Sequence, residues 1–152
     1  MTILEINQLL DEMEAIPGFE PGVANLVSYD TIKAAYNGCG PERWPQSVRD
    51  SLDLLTAIFA PAVLVHDLDF HFSDGTDACL DSANARFRRN LEAIFHHHYP
   101  LVSLRILSPA YRLERAKAKA LMLVLAACTT RQLTAKAWRE AHERNLAVMS
   151  MC

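Results

Sequence analysis

The chain has 152 residues and a mass of 17.0 kDa, with 51% hydrophobic and 22% charged residues. That length and apolar content are those of one compact domain and exclude disorder, collagen and repeat arrays, so residues 1–152 are read as a single domain. The formal net charge of -3 conceals an asymmetry: residues 1–81 hold 14 acids and three bases, residues 82–152 four acids and 12 bases.

The two halves are expected to attract each other within the fold. The basic half alone would suit anionic lipid or nucleic acid, but no recognition-helix pattern and no aromatic and basic interleaving supports nucleic acid, and none is expected as a partner. The longest uninterrupted apolar run, Ala120 to Cys128, has nine residues. A membrane-spanning helix needs roughly 20, so no transmembrane segment is expected. The N-terminus lacks a basic start and a small-residue cleavage site, which points to the cytoplasm. Cys39, Cys79, Cys128 and Cys152 are scattered with no Cys-x-x-Cys, which excludes zinc ribbons and points to free thiols in a reducing compartment.

Periodicity near 3.6 dominates, and no segment alternates strictly, so the class is all-α. A first helix over residues 2–15 places Ile3, Ile6, Leu10 and Met13 on one stripe, with Thr2 as cap, Glu5 three residues on, and Pro17-Gly18 as its stop. Residues 19–45 read as loop with a short helical stretch from Tyr29 to Tyr36. Ser47 is placed as the cap of a second helix, whose apolar positions Val48, Leu52, Leu55, Phe59, Ala62, Val63 and Leu68 run past Pro61. A proline inside that pattern demands a kink or a restart. Ser73 to Thr76 is a turn, and Asp77 to about His98 a further helix, broken by Tyr99-Pro100. Ser108-Pro109 opens a helix whose stripe is Leu113, Ala116, Ala120, Leu123, Val124 and Ala127. A last helix runs from about Thr130 to Met149 with Leu133, Ala137, Trp138 and Ala141.

The chemistry concentrates in Val65-His66-Asp67-Leu68-Asp69-Phe70, at the C-terminal end of an apolar helix. Adjacent helical residues point about 100° apart, so His66 and Asp67 suit two neighbouring tasks, a base on water and a ligand to a cation. Upstream, Tyr36-Asn-Gly-Cys-Gly-Pro41 is a glycine turn that frees backbone carbonyls. Oxygen ligands from such a turn with one carboxylate suit calcium better than zinc.

In order and spacing, Asn37-Gly38-Cys39, Phe59-Ala60-Pro61-Ala62, His66-Asp67-Leu68-Asp69-Phe70 and Asn84-Ala-Arg-Phe87 resemble the phospholipase A2 family, most closely its small prokaryotic and fungal branch. The likeness spans about residues 36–91. It implies a small helical domain with two long packed helices carrying the His-Asp motif, here with extra C-terminal helices. It also implies that His66 takes a proton from water, and that Asp67, Asn37 and the Gly38 carbonyl hold calcium, which polarises the ester carbonyl of a phospholipid or other acyl ester. The family's second helix supplies a carboxylate to the far histidine nitrogen; here Asn84 falls at that position, with Asp81 one turn earlier. The chain departs from the pattern at Phe70 for tyrosine, Asn84 for aspartate and Asn37 for a charged ligand. Val63 stands where the family has a cysteine, so Cys39 lacks its usual disulfide partner.

Three functions follow as expectations: a calcium-dependent phospholipase A2-like ester hydrolase; a phospholipase-like binding or assembly module that has lost activity; and a His-Asp metal-dependent phosphohydrolase, against which counts the absence of any histidine before His66. The first helix either lines an acyl-chain channel or packs the core, the favoured reading. His96-His97-His98 reads as a solvated helix end, since consecutive positions fan apart. His71 and Asp69 could join a metal with His66, though no spacing demands it. Trp44 and Trp138 read as packing residues. Residues 100–152 lie outside the resemblance and serve either as a homodimer surface or as extra core.

Overall fold

The structure is a computed structural model that describes residues 1–36, 45–102 and 104–149. Asn37, Gly38, Cys39 and Trp44 lie outside the described residues. Seven α-helices and no strand occur among those described, and most of those residues are helical. No helix there is long and apolar enough to cross a membrane.

Local sequence sets most of the helix ends. Helix α1, Ile3–Ala15, opens on a reciprocal cap: Thr2 Oγ1 accepts from the Glu5 amide at 3.2 Å, and the Thr2 amide donates to Glu5 Oε2 at 2.6 Å. Helix α2, Tyr29–Ala35, is capped by Ser28 through the Thr31 amide at 3.2 Å. Helix α3, Gln46–Leu55, starts earlier than expected, with Pro45 rather than Ser47 at the cap position. At its end Thr56 Oγ1 donates to the Leu52 carbonyl at 2.7 Å, a turn of 3-10 helix covers Ala57–Phe59, and the chain restarts as α4, Ala60–His71. Pro61 falls in the first turn of α4, where its missing N–H removes no helical bond, so the restart expected at that proline occurs.

The Ser73–Thr76 turn leads into α5, Asp77–His98, capped by Thr76 Oγ1 on the Cys79 amide at 3.2 Å. Gly75 sits in that turn at φ +75°, and a Cβ there would lie 2.6 Å from the His142 ring, so two constraints require glycine. Helices α6, Pro109–Cys128, and α7, Arg131–Met149, complete the chain.

Helix α4 is the centre. It buries Pro61, Ala62, Val63, Leu64, Val65 and Leu68, so apolar residues point to several sides, as in a helix surrounded by protein. On one side Leu64, Val65 and Leu68 meet Ile6 and Met13 of α1 and Ile32 of α2. On another Ala62 and Val63 meet Phe87, Leu91 and Ile94 of α5, with Ala118 and Met122 of α6 beyond. A third cluster joins Leu80 and Ala83 of α5 to Trp138 of α7. Trp138 is thus a packing residue, and α6 and α7 add core. The His-Asp helix has 12 residues and its partner α5 has 22, so one of the pair is long and the other short.

The stripe assigned to α6 from the sequence needs correction. Leu113, Ala116, Ala120, Leu123, Val124 and Ala127 are all exposed, and the helix packs through Ala118 and Met122, flanked by Leu121 and Leu125. Helix α6 carries apolar residues on opposite sides, and periodicity alone cannot choose between them. Polar anchors choose: the Arg115 guanidinium lies 5.1 Å over the Phe95 ring and its Nε donates to the Tyr99 carbonyl at 3.3 Å, while Tyr111 Oη donates to the Pro100 carbonyl at 3.3 Å.

The charge asymmetry resolves into pairs across the halves. Arg89 grips Glu20 through two bonds of 2.6 and 2.9 Å, Arg86 bonds Asp69, Arg139 approaches Asp77 at 3.8 Å, and His98 approaches Glu12 at 3.3 Å. Asn90 fixes the same loop by accepting from the Glu20 amide at 2.8 Å and donating to its carbonyl at 2.9 Å.

Candidate functional site

His66 lies one turn before the end of α4 and faces α5. Its Nε2 is 3.1 Å from Asn84 Oδ1, so the structure brings together the histidine and Asn84, one of the two residues that the resemblance offered as its partner. The ring is caged by Phe70, centroid distance 4.9 Å, and Phe87, 4.6 Å. Phe70 in turn meets Trp138 edge-on at 4.9 Å. The i,i+4 spacing of His66 and Phe70 puts both on one face of α4, and the i,i+3 spacing of Asn84 and Phe87 does the same on α5. Burial among these rings pushes the His66 pKa down to about 4, opposed in part by the hydrogen bond to Asn84. The imidazole is therefore neutral at pH 7.

Asn84 is buried, and its other amide atom is engaged too: Nδ2 donates to Thr134 Oγ1 on α7 at 3.2 Å. Thr134 Oγ1 itself donates to the Thr130 carbonyl at 3.1 Å. A buried amide with both ends satisfied is held in one orientation. Asp81, the other residue considered for this role, is exposed on α5.

Asp67 is partly buried beside His66 on α4. Of the three implied calcium ligands it is the one within the described residues; Asn37 and Gly38 lie outside them. A carboxylate, an amide oxygen and a backbone carbonyl form an all-oxygen set, which fits calcium chemistry. No group of three or more His, Cys, Asp or Glu side chains that could hold a metal occurs among the described residues. The pairing of His71 and Asp69 with His66 around one ion does not form there.

Asp69 has another task. Its Oδ1 takes a hydrogen bond from Arg86 Nη1, while Oδ2 is buried and meets no hydrogen-bond partner among the described residues. Burial raises the Asp69 pKa and Arg86 opposes the rise. Gly22, at φ +58°, passes so close that a Cβ would stand 3.1 Å from Arg86 Nη1, packing the loop onto this pair.

Helix α1 borders an open groove of about 540 Å³ whose described lining includes Met1, Glu5, Glu12, Tyr36 and Ala57, and not His66, Asp67 or Asn84. Ile6 and Met13 of α1 are buried, so the core reading of that helix holds. His96, His97 and His98 are exposed at the end of α5.

Sequence reasoning missed Thr134. The available signal was a hydroxyl four residues before Trp138, on the stripe that α7 turns inward, but its partner lies 50 residues away.

No family model, curated protein or solved structure matches the chain. The likeness to phospholipase A2 therefore rests on the quoted residues and their spacing.

Proposed function

We propose that the chain is a phospholipase A2-like hydrolase of acyl esters, in which His66 takes the proton from an attacking water. The observation that carries this reading is the Nε2 contact of His66 with Asn84 Oδ1 across α4 and α5. It engages one ring nitrogen with an orienting group, which supports a reading in which the other takes the proton, the division of labour general-base histidines use. Phe70 and Phe87 hold the ring plane. Asp67, with Asn37 and the Gly38 carbonyl, would hold calcium, which when bound polarises the ester carbonyl and stabilises developing negative charge. The substrate class is a phospholipid or related acyl ester, and the setting is the cytoplasm.

A second reading, a binding or assembly module on the same scaffold, is favoured by two observations. A neutral amide stands opposite His66, giving less support to an imidazolium than a carboxylate would, and burial makes the ring a weak base.

Fatty-acid release from mixed phospholipid vesicles tests the choice. The hydrolase reading expects release with millimolar calcium and none with chelator. Folded protein that releases nothing from several head groups, and whose melting temperature ignores calcium, contradicts it and supports the module.

A further inference from the structure

The polarity of the chain of contacts from α7 to His66 can be worked out from one proton. A threonine hydroxyl has a single hydrogen, and Thr134 donates it to the Thr130 carbonyl one turn back at 3.1 Å. Toward Asn84 its oxygen can then only accept. The Asn84 group 3.2 Å away must be the NH2, which turns Oδ1 toward His66. An amide oxygen can only accept, so the His66 nitrogen 3.1 Å from it must carry the proton. In the neutral ring the lone pair then belongs to Nδ1.

We propose that Thr134 is a positioning residue for His66: through Asn84 it fixes the Nε2–H tautomer and so makes Nδ1 the proton-accepting nitrogen. A carboxylate in place of Asn84 would need no such help, because both its oxygens accept. An asparagine presents an acceptor or a donor depending on a flip of its amide, and something must choose. Thr134 chooses, from a helix outside the stretch that resembles the phospholipase family. The chemical use of Nδ1 as a base rests on the function proposed above; the tautomer itself does not.

The test is the nitrogen-15 NMR spectrum of the imidazole rings in the full chain at about pH 8, where an ordinary histidine is neutral, with the His66 signals assigned by their loss in His66→Gln. The wild type is expected to show a pyrrole-type Nε2 and a pyridine-type Nδ1. Thr134→Val, of nearly the same shape but without an oxygen, is expected to give a mixed or reversed tautomer, and Thr134→Ser to restore the wild-type pattern. In an Asn84→Asp background the Nε2–H form is expected whether residue 134 is Thr or Val, which guards against a general packing effect of the valine. If the wild type releases fatty acid, Thr134→Val should lower its rate on the order of tenfold, the worth of one hydrogen bond, with Thr134→Ser near wild type. A wild-type Nδ1–H tautomer, or an unchanged Nε2–H tautomer in folded Thr134→Val, overturns the proposal. Absent fatty-acid release with the tautomer pattern as expected overturns the hydrolase reading alone.

Discussion

At the scale of single residues, His66 carries a large pKa shift. Its pKa falls from an ordinary 6.5 to about 4, chiefly through burial. The native state then binds fewer protons than the unfolded chain between those values, so stability from this residue is present above the unfolded pKa and is lost as pH falls toward 4. The drop is on the order of 3 kcal/mol. Thermal melts of wild type and His66→Gln from neutral to mildly acid pH check it, the variant showing the shallower acid loss. Asp69 pulls the other way: its raised pKa contributes stability at low pH that is lost as pH rises through the folded value. The two trends separate in Asp69→Asn, which should steepen the net loss of stability on acidification. The same scale separates two arginines. Arg86→Ala strands the mostly buried Asp69 carboxylate, side chain 12% exposed, and should cost about 3 kcal/mol. Arg89→Ala removes a pair whose members are 54% and 42% exposed and should cost under about 1 kcal/mol. Urea denaturation of the two variants measures the difference.

At the scale of elements, α6 shows where pattern reading stops. Met122 is buried against α5 and the adjacent Leu123 is exposed, although the sequence stripe assigned the inward role to Leu123. Met122→Ala should destabilise by about 2–5 kcal/mol, whereas Leu123→Ala should stay within about 0.5 kcal/mol of wild type. Denaturant midpoints decide between the two faces, and a reversed order would contradict the packing described for α6. Several helix ends were legible because their causes are local: Thr2 with Glu5 and Pro61 in a first turn each act within four residues, whereas the expected Ser47 cap gave way to Pro45. The choice of face on α6 was not legible, because Arg115 and Tyr111 make it through contacts with Tyr99 and Pro100 that a helical wheel does not contain. The same limit applies to the site. The resemblance placed Asn84, with Asp81 as the alternative, opposite His66, whereas Thr134 lies on the inward stripe of α7 with Trp138 but has its partner 50 residues away.

At the scale of the whole molecule, the acidic first half and the basic second half meet in a small set of cross-pairs centred on Glu20, Asp69, Arg86 and Arg89. They lock the loop before α2 onto α4 and α5, the two helices that carry His66 and Asn84. Helix α7 closes the assembly from the other side with Trp138 beneath Phe70 and Thr134 behind Asn84. The fold thus holds one imidazole between two helices, with a third setting the hydrogen-bond direction. The chemistry proposed for that imidazole is tested by fatty-acid release from phospholipid vesicles by wild type and His66→Gln side by side in calcium. Release is expected from the wild type and none above background from a folded His66→Gln. Equal release by both would contradict it, because the reaction would then not pass through His66.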